Sequence, residues 1–548
     1  MLTAAPALAA PADLDTSFGA PNGFVLTGVS GGNVNGRGVI IDPATGNYVV
    51  GAGQFISTIE SMGAMQYLPN GTLDETFGGE DGAAPGTEFV GIMGETTTAE
   101  SDIVRQPDGS LVLGGYTTPG KDEFALARLT PAGKLDTSFN PAGTQPGTVT
   151  TDISPTTSDR ISALGIQSSA KIVAIGSSAG ALAFARYNTT GTIDGTPVVT
   201  SFTGVDSVQP DAAVVEPGDK ILVGGEATVG TLEEFMVARL TADGSPDSTF
   251  GNGGIVTFTL GSPTSRDFAT SIALQPDGDA LIAGDADQDS TQDFGVARLT
   301  PSGDLDPSFG SGGVSVLSVT PEQDEANGMT LQPNGKVLLV GRAGGIGEGA
   351  GDLAVVRLDT SGAPDPTFGT GGVVIHPLPP AEPSRANSVA VQGDGKIVTV
   401  GSGGTATGND VAVARFMGGE VPPPPPPPAR DTVKPKLSKL KLLTTHLRTI
   451  RKKKALKVRV HMSEAGTLTL KATISVKRRH HKARTITLLR KTTRFTKAAT
   501  KTITLKLSRS ALARLGKLHT LKIKLSFSAK DLAGNKSSRA LTAKLKRR

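Results

Sequence analysis

The fold is decided by residues 250–309, which read FGNGGIVTFTLGSPTSRDFATSIALQPDGDALIAGDADQDSTQDFGVARLTPSGDLDPSF. Turns rich in Gly, Pro and Asp separate four short apolar runs in this stretch: Ile255–Leu260, Thr270–Leu274, Ala280–Ala283 and Phe294–Leu299. Short β-prone runs between such turns predict four antiparallel strands. The stretch therefore predicts one four-stranded sheet.

The phrase LDxxFG that closes this stretch recurs along the first 416 residues, with an ARL-like segment before each return. Its aromatic residue falls at Phe18, Phe77, Phe139, Phe202, Phe250, Phe309 and Phe368. A recurring period of this size indicates a repeat array, and repeated four-stranded sheets are typical of a β-propeller, whose radial arrangement protects sheet edges. The sequence predicts an all-β fold with a seven-bladed β-propeller over residues 13–420. A ring of six or eight blades and an open β-solenoid stay as alternatives.

The repeat resembles the delta-60 repeat family of secreted bacterial proteins. The resemblance rests on LDTSFG at 14–19, QPDG at 106–109 and 275–278, and FALARLTPAG at 124–133. It covers residues 14 to 416 and fades in the third unit, where QSSA at 167–170 replaces the turn. The resemblance implies a propeller-like array and no established activity.

The composition changes after Val421. Seven prolines at 422–428 predict an extended spacer of roughly 22 Å within a linker at 421–430. Residues 431–548 contain 35 Lys and Arg but only three acidic residues, whereas the preceding residues contain 19 basic and 48 acidic residues. The overall charge of +3 therefore hides a formal +32 in one part of the chain and −29 in the other.

The basic segment 431–548 alternates apolar and polar residues, which is typical of half-buried strands. Leu456, Val458, Val460 and Met462 form one such series, and 521–527 another, with Lys522 and Lys524 facing away. Six or seven strands predict an immunoglobulin-like β-sandwich. One helix is predicted at Arg509–Leu515, between an N-cap at Ser508 and a stop at Gly516.

Two phrases in this segment resemble bacterial Ig-like domains appended to actinobacterial surface proteins: HMSEAGTLTL at 461–470 and AKDLAGNKSS at 529–538. The resemblance implies a β-sandwich and no activity.

Residues 1–12 are rich in small apolar residues and contain Ala7-Leu8-Ala9, which resembles the cleavage site of a secretory signal, although no charged segment precedes it. They are predicted to be the remnant of a signal peptide; a disordered Ala-rich terminus is the alternative. No apolar run reaches the length of a transmembrane helix, and the chain has no Cys. We expect a protein that is extracellular or associated with the cell envelope.

Candidate catalytic and metal residues are few. GSSAG at 176–180 matches the pattern of a hydrolase nucleophile but lies at the end of a predicted strand, and His376 is the one His in the repeat array. Asp285, Asp287, Asp289 and Asp293 have spacing that could suit Ca²⁺, but an acidic solvated loop is favoured because the Gly and Glu of a calcium loop are missing. The recurring Arg and Asp of each unit, such as Arg298 and Asp306, predict a structural pair. No catalytic residue, cofactor or metal site is predicted.

The basic domain carries the strongest functional indication, because clustered Lys and Arg attract polyanions. With Phe495 and Phe527 as its only aromatic residues, sequence-specific nucleic-acid recognition is not expected. Teichoic-type polymers, acidic polysaccharide, lipid phosphates and extracellular DNA stay open as partners. The predicted polyanion-binding residues are Arg451, Lys452, Lys453, Lys454, Lys477, Arg478, Arg479, Lys544, Lys546, Arg547 and Arg548.

These features predict a secreted, non-enzymatic surface protein. Its propeller would be an interaction scaffold with an unidentified ligand, and its basic sandwich would contact anionic polymers of the envelope. The alternative is a hydrolase or lyase that uses the central funnel of the propeller.

Overall fold

The protein is all-β and divides into two compact units, Met1–Pro422 and Pro423–Arg548. The structure is a computed structural model that describes the chain except for residues 1–9, 30–31, 57–58, 80–83, 93–97, 119, 262–265, 289–290, 346–350, 379–383, 406–407, 420–433, 464–465, 477–483, 496–498, 517–520, 532–534 and 547–548. The predicted signal remnant and the proline linker lie almost entirely outside these described residues.

The described part of the first unit forms seven four-stranded antiparallel sheets, numbered here in chain order. Sheet 1 contains β2 (Asn33–Ile41), β3 (Tyr48–Ile56), β4 (Ile59–Tyr67) and β5 (Thr87–Val90). Sheet 2 contains β6 (Thr98–Arg105), β7 (Leu111–Thr117), β8 (Glu123–Leu129) and β9 (Thr148–Thr151). Sheet 3 contains β10 (Asp159–Ile166), β11 (Ile172–Ser178), β12 (Ala181–Tyr187) and β13 (Val198–Thr200). Sheet 4 contains β14 (Ser207–Val215), β15 (Ile221–Val229), β16 (Leu232–Leu240) and β17 (Ile255–Phe258).

The remaining sheets follow the same order of strands. Sheet 5 contains β18 (Phe268–Leu274), β19 (Ala280–Gln288), β20 (Thr291–Leu299) and β21 (Val314–Leu317). Sheet 6 contains β22 (Glu325–Leu331), β23 (Val337–Ala343), β24 (Asp352–Leu358) and β25 (Val373–His376). Sheet 7 contains β26 (Ser384–Val391), β27 (Ile397–Thr405), β28 (Gly408–Phe416) and, from the other end of the unit, β1 (Phe24–Thr27).

The repeat in the sequence is offset by one strand from the sheet in the structure. In residues 250–309 the first predicted strand becomes β17, which pairs with β16 and so belongs to sheet 4, whereas β18 to β20 belong to sheet 5. By the same offset β1 pairs with β28, with Phe24 opposite Ala414. The predicted unit is therefore not one sheet, and strands from both ends of the unit share sheet 7.

Each pair of neighbouring sheets shares an apolar core, and sheet 7 also packs on sheet 1. The core between sheets 7 and 1 includes Phe18, Tyr48, Val398 and Val413, all fully buried. The innermost strands follow the same circular order, because β26 contacts β2 as well as β22. The sheets thus surround a common axis lined by the first strand of each.

The closing arginine that is present in six of the seven repeats links one sheet to the next. In sheet 5, Arg298 donates from Nε to Asp306 Oδ2 (2.7 Å) and from Nη1 to the carbonyl of Thr360 in the turn after β24 (3.0 Å). Its guanidinium also lies 4.9 Å from the ring centroid of Phe309. Arg415 makes the same contacts with Asp15 and Phe18, which join the two ends of the unit. The predicted structural role of the Arg and Asp pairs is confirmed.

A β-bulge interrupts every innermost strand at the same position, and the bulge residue is polar in all seven: Arg37, Ser101, Ser162, Asp211, Thr270, Asn327 and Asn387. Three of these side chains donate a hydrogen bond to a backbone carbonyl in the innermost strand of the next sheet, at the residue just before its bulge. They are Thr270 to Ala326 (2.6 Å), Asn327 to Ala386 (3.1 Å) and Asn387 to Gly36 (2.8 Å). We call this set of residues the bulge ring.

The bulge-ring residue Asp211 is expected to make the free energy of unfolding of the protein depend on pH. Burial, followed by the negative charge of Glu226, raises the pKa of Asp211 to about 7. The folded protein therefore holds this proton more tightly than the unfolded chain, so stability falls as the pH rises from about 4 to about 7. From pH 4 to pH 8, Asp211→Asn should gain about 2 kcal/mol of unfolding free energy relative to the wild type.

Urea unfolding at the two pH values measures this gain, and Asp277→Asn, at an exposed turn, is the control. A pH-independent difference between Asp211→Asn and the wild type would contradict the expectation.

The described part of the second unit contains two sheets and two short helices. The three-stranded sheet contains β29 (Leu437–Leu442), β30 (Ala455–Met462) and β33 (Ala499–Lys506). The four-stranded sheet, in the order β32-β31-β34-β35, contains β31 (Gly466–Val476), β32 (Arg484–Phe495), β34 (Leu521–Asp531) and β35 (Lys536–Leu545). Helix α1 (Leu447–Lys453) precedes β30, and α2 (Arg509–Gly516) follows β33.

The two sheets of the second unit share one core. Leu456 and Val460 of the three-stranded sheet and Leu470 and Leu525 of the four-stranded sheet are all fully buried in it. The predicted alternation is therefore confirmed. The predicted helix is also confirmed, with Ser508 Oγ accepting a hydrogen bond from the amide of Ala511 (3.2 Å). Helix α1 and strand β29 were not predicted.

Candidate functional site

The outer face of the four-stranded sheet in the second unit is strongly cationic. Leu470 and Leu525 point into the core, so their strand neighbours Lys471 and Lys524 must point outward, because side chains alternate along a strand. The exposed cations of this face are Lys471, Arg490, Lys522, Lys524 and Lys544. We call this surface the cationic face.

The register of the strands places like charges opposite each other. Lys471 lies directly opposite Arg490, and Lys522 lies opposite Lys544. Directly opposed side chains have Cβ atoms about 5 Å apart, and like charges in such positions destabilise a sheet. Lys524 adds a further charge between Thr473 and Thr542. The cationic face therefore carries an electrostatic cost that a bound anion would relieve.

Hydroxyl groups lie between these cations. A groove of about 490 Å³ is lined by Thr469, Lys471, Arg490, Lys524, Ser526, Phe527, Ser528, Ser538, Arg539 and Ala540. The groove has no carboxylate in its lining, and among the described residues 434–546 no Lys or Arg forms an ion pair with a carboxylate. Hydroxyl donors beside free ammonium and guanidinium groups suit phosphate or sulfate oxygens.

Four of the predicted polyanion-binding residues lie at the end of helix α1. Arg451, Lys452 and Lys453 form the last turn of α1, and Lys454 caps it in the left-handed conformation (φ 49°). Cations at this end of a helix complement its dipole, which gives the cluster a structural role as well. All four side chains are exposed.

Of the other predicted residues, Lys544 belongs to the cationic face. Lys546 lies beside the start of α1, where its backbone carbonyl accepts a hydrogen bond from the amide of Leu447 (2.8 Å). The structure therefore brings the strand end near the helix cluster. Lys477, Arg478, Arg479, Arg547 and Arg548 lie outside the described residues. Lys471, Arg490, Lys522 and Lys524 of the cationic face were not among the predicted residues, although their alternation with buried residues is visible in the sequence.

The catalytic and metal candidates of the first unit are dispersed. GSSAG at 176–180 forms the end of β11 and the turn before β12, so a strand follows it rather than a helix. His376 ends β25, the outermost strand of sheet 6, and its Nδ1 lies 2.5 Å from the Pro377 carbonyl oxygen. The described structure does not bring His376 to the axis.

The prediction of an acidic loop at Asp285, Asp287, Asp289 and Asp293 is wrong for three of these residues. Asp285 and Asp287 lie in β19 and Asp293 lies in β20, because this hairpin extends beyond the predicted apolar run; Asp289 is outside the described residues. Asp285 accepts a hydrogen bond from the amide of Ala326 in sheet 6 (2.7 Å), and burial raises its pKa to about 7. No group of three potential metal ligands lies together in the described part of the chain.

Comparison with known structures finds chains of similar fold. One is a protein of unknown function from Dyadobacter fermentans DSM 18053 (TM-score 0.42, 10% identity, covering 72% of this chain and 97% of that chain). Another is the polysaccharide lyase Uly1 (TM-score 0.41, 10% identity, 70% and 90%). A third is the α-L-arabinofuranosidase Arb93A from Fusarium graminearum (TM-score 0.36, 9% identity, 74% and 96%). Comparison with curated protein sequences gives no match.

The prediction excluded an enzyme, and that exclusion is wrong. A polysaccharide lyase and an arabinofuranosidase are among the chains of similar fold, so the fold is compatible with an enzyme. Among the described helices, none combines the length and apolar character that crossing a membrane requires.

Five segments of the chain match a family model described as "Domain of unknown function (DUF5122) beta-propeller": residues 106–139, 218–250, 275–309, 332–368 and 392–418. Each segment includes one closing arginine, and the segments lie in sheets 2, 4, 5, 6 and 7 respectively; four of them begin at a QPDG-like turn, and 218–250 begins within the turn at 216–219. The matches and the repeated four-stranded antiparallel sheets together identify a propeller-like repeat protein.

Proposed function

We propose that this is a secreted protein of the cell surface whose second unit binds an anionic polymer of the envelope through the cationic face. The observation that carries the proposal is the pairing of like charges on that face, Lys471 with Arg490 and Lys522 with Lys544, without a neutralising carboxylate among the described residues. A polymer with repeated phosphate or sulfate groups would neutralise several of these charges at once and release its counterions.

We further propose that the seven sheets are the blades of a closed seven-bladed β-propeller of the delta-60 repeat type, and that the second unit is an Ig-like β-sandwich. The circular order of sheet contacts supports the first assignment, and two sheets around one core support the second. In this arrangement the first unit presents an interaction scaffold, while the second provides attachment to the envelope.

The test is a comparison of two triple variants of the full chain that lose the same charge. Lys471→Gln/Arg490→Gln/Lys524→Gln removes three cations of the cationic face, and Lys452→Gln/Lys453→Gln/Lys454→Gln removes three at α1. Heparin, used as the probe polyanion, should bind the first variant about 10- to 100-fold more weakly, with the slope of log K against log salt reduced by about 3. The α1 variant should keep the wild-type slope.

Titration calorimetry across a salt series gives both quantities. Equal losses in the two variants would show that net charge, rather than this face, determines binding. An unchanged slope in the first variant would overturn the proposal.

A further inference from the structure

Two arginines meet where sheets 7 and 1 adjoin around the axis. Arg37 is the bulge residue of β2, and Arg385 lies two residues before the bulge of β26. The hydrogen bond from Asn387 to the Gly36 carbonyl (2.8 Å) holds the two strands in contact at this level. Arg385 and Asn387 are alternate residues of one strand and so share a face. The fold therefore directs both guanidinium groups to one end of the bulge ring.

Neither arginine has a carboxylate partner in the described part of the chain. Arg385 donates from Nε to Ser402 Oγ (3.3 Å), and Arg37 forms no hydrogen bond or ion pair there. The neighbouring Arg342, in contrast, is paired with Glu325 (2.6 Å). Burial lowers the pKa of Arg385, and the positive charges of Arg37 and Arg342 lower it further. The two groups are thus close enough to repel each other.

The carboxylates near this end do not pair with Arg37 or Arg385. Glu60 is within electrostatic range of Arg37 but is not ion-paired with it, Glu325 is engaged by Arg342, and Asp285 accepts a hydrogen bond from the amide of Ala326. The Arg37 and Arg385 guanidinium groups therefore lack a carboxylate partner in the described part of the chain. Guanidinium groups bind carboxylate and phosphate through paired N–H donors, which would relieve this repulsion.

Asn35 adds an acceptor to the same place. It lies two residues before Arg37 in β2, at the position that Arg385 occupies in β26. Its Oδ1 is buried and has no hydrogen-bond partner. A buried unpaired acceptor costs free energy, which a ligand hydroxyl would recover. The combination of two guanidinium groups without a carboxylate partner and one unpaired acceptor suits a molecule that has both an oxyanion and a hydroxyl.

We propose that Arg37, Arg385 and Asn35 form a binding site for a sugar acid or sugar phosphate at this end of the bulge ring. The arginines bind its carboxylate or phosphate, and Asn35 Oδ1 accepts a hydrogen bond from a hydroxyl. The site belongs to the first unit and is independent of the cationic face.

The probes are glucuronate and glucose 6-phosphate, which distinguish a carboxylate from a phosphate ligand. Saturation-transfer NMR on the full chain in 150 mM NaCl detects millimolar binding to either. The wild type should bind at least one of them, and Arg37→Gln and Arg385→Gln should each raise its dissociation constant about 10-fold or more. Arg37 is exposed, so its variant should fold normally even if Arg385→Gln is destabilised.

Two controls separate this site from other cations. Arg266→Gln removes an exposed arginine that is ion-paired with Glu233 and should bind as the wild type does. The triple variant of the cationic face should lose heparin affinity and keep the sugar ligand, so the two proposals can fail separately. Absence of binding to both probes, or unchanged binding in Arg37→Gln, would overturn the site.

Discussion

Deletion of residues 10–27 is expected to unfold the first unit. These residues supply β1 to sheet 7, the Asp15 carboxylate to Arg415 (2.9 Å) and the ring of Phe18, which is fully buried against Tyr48. Removing one large buried aromatic side chain or one partner of a buried ion pair costs about 3–5 kcal/mol each. The combined loss should exceed about 5 kcal/mol, which is comparable to the whole stability of many domains.

Scanning calorimetry of the truncated and complete chains measures this loss. A synthetic peptide of residues 10–27 added in trans should partly restore the transition, because it can pair with the free edge of β28. A truncated chain that melts at the wild-type temperature would contradict the expectation. It would also show that sheet 7 does not need β1 to hold the two ends of the first unit together.

Arg357→Met is expected to lower the unfolding free energy by about 3 kcal/mol. The Arg357 side chain is 3% exposed and donates to Asp365 Oδ2 (2.7 Å) and the Gly418 carbonyl (2.5 Å). Burial alone would raise the pKa of Asp365, but hydrogen bonds from Lys336 and Thr367 and the charge of Arg357 hold it well below its usual range. Because Lys336 remains after the substitution, the loss should fall at the lower end of that for a broken buried pair.

Arg298→Met provides a graded comparison at the equivalent position. Arg298 and Asp306 are 12% and 18% exposed, so water can replace part of the lost interaction and the destabilisation should be smaller. Chemical unfolding of both variants and of Arg266→Met, at a side chain 72% exposed, should give losses in the order Arg357, Arg298, Arg266. Any other order would show that the contribution of a closing arginine to stability does not depend on how deeply its side chain is buried.

The sequence predicted the repeated sheets because each repeat carries its own strong local signals. The QPDG-like turns and the Arg and Asp of each unit are repeated seven times with few losses, such as Gln66 in place of the first arginine. It did not predict which sheet the first strand joins, because β17 has the same pattern whether it pairs with β16 or with β18. That choice depends on contacts between sheets.

The binding surfaces were harder to predict for the same reason. A cluster such as Arg451–Lys454 is conspicuous because its charges are adjacent in sequence, whereas Lys471 and Arg490 become neighbours only through strand register. Arg37 and Arg385 are separated by most of the first unit and meet only where sheet 7 contacts sheet 1. Helix α1 has no side-chain cap and only two buried residues, Leu447 and Ile450, so its local signal is weak.

The pairing of β1 with β28 also sets a waiting time during synthesis. Asp15 and Arg415 are 400 residues apart, and ribosomes add about 5–20 residues per second, so the first strand emerges roughly 20–80 s before its partner. During that interval Phe24, which is buried among residues of sheets 6 and 7, has no core to enter, and β1 has no strand to pair with. Chaperone binding or a delay in folding at that stage would protect the nascent chain from aggregation.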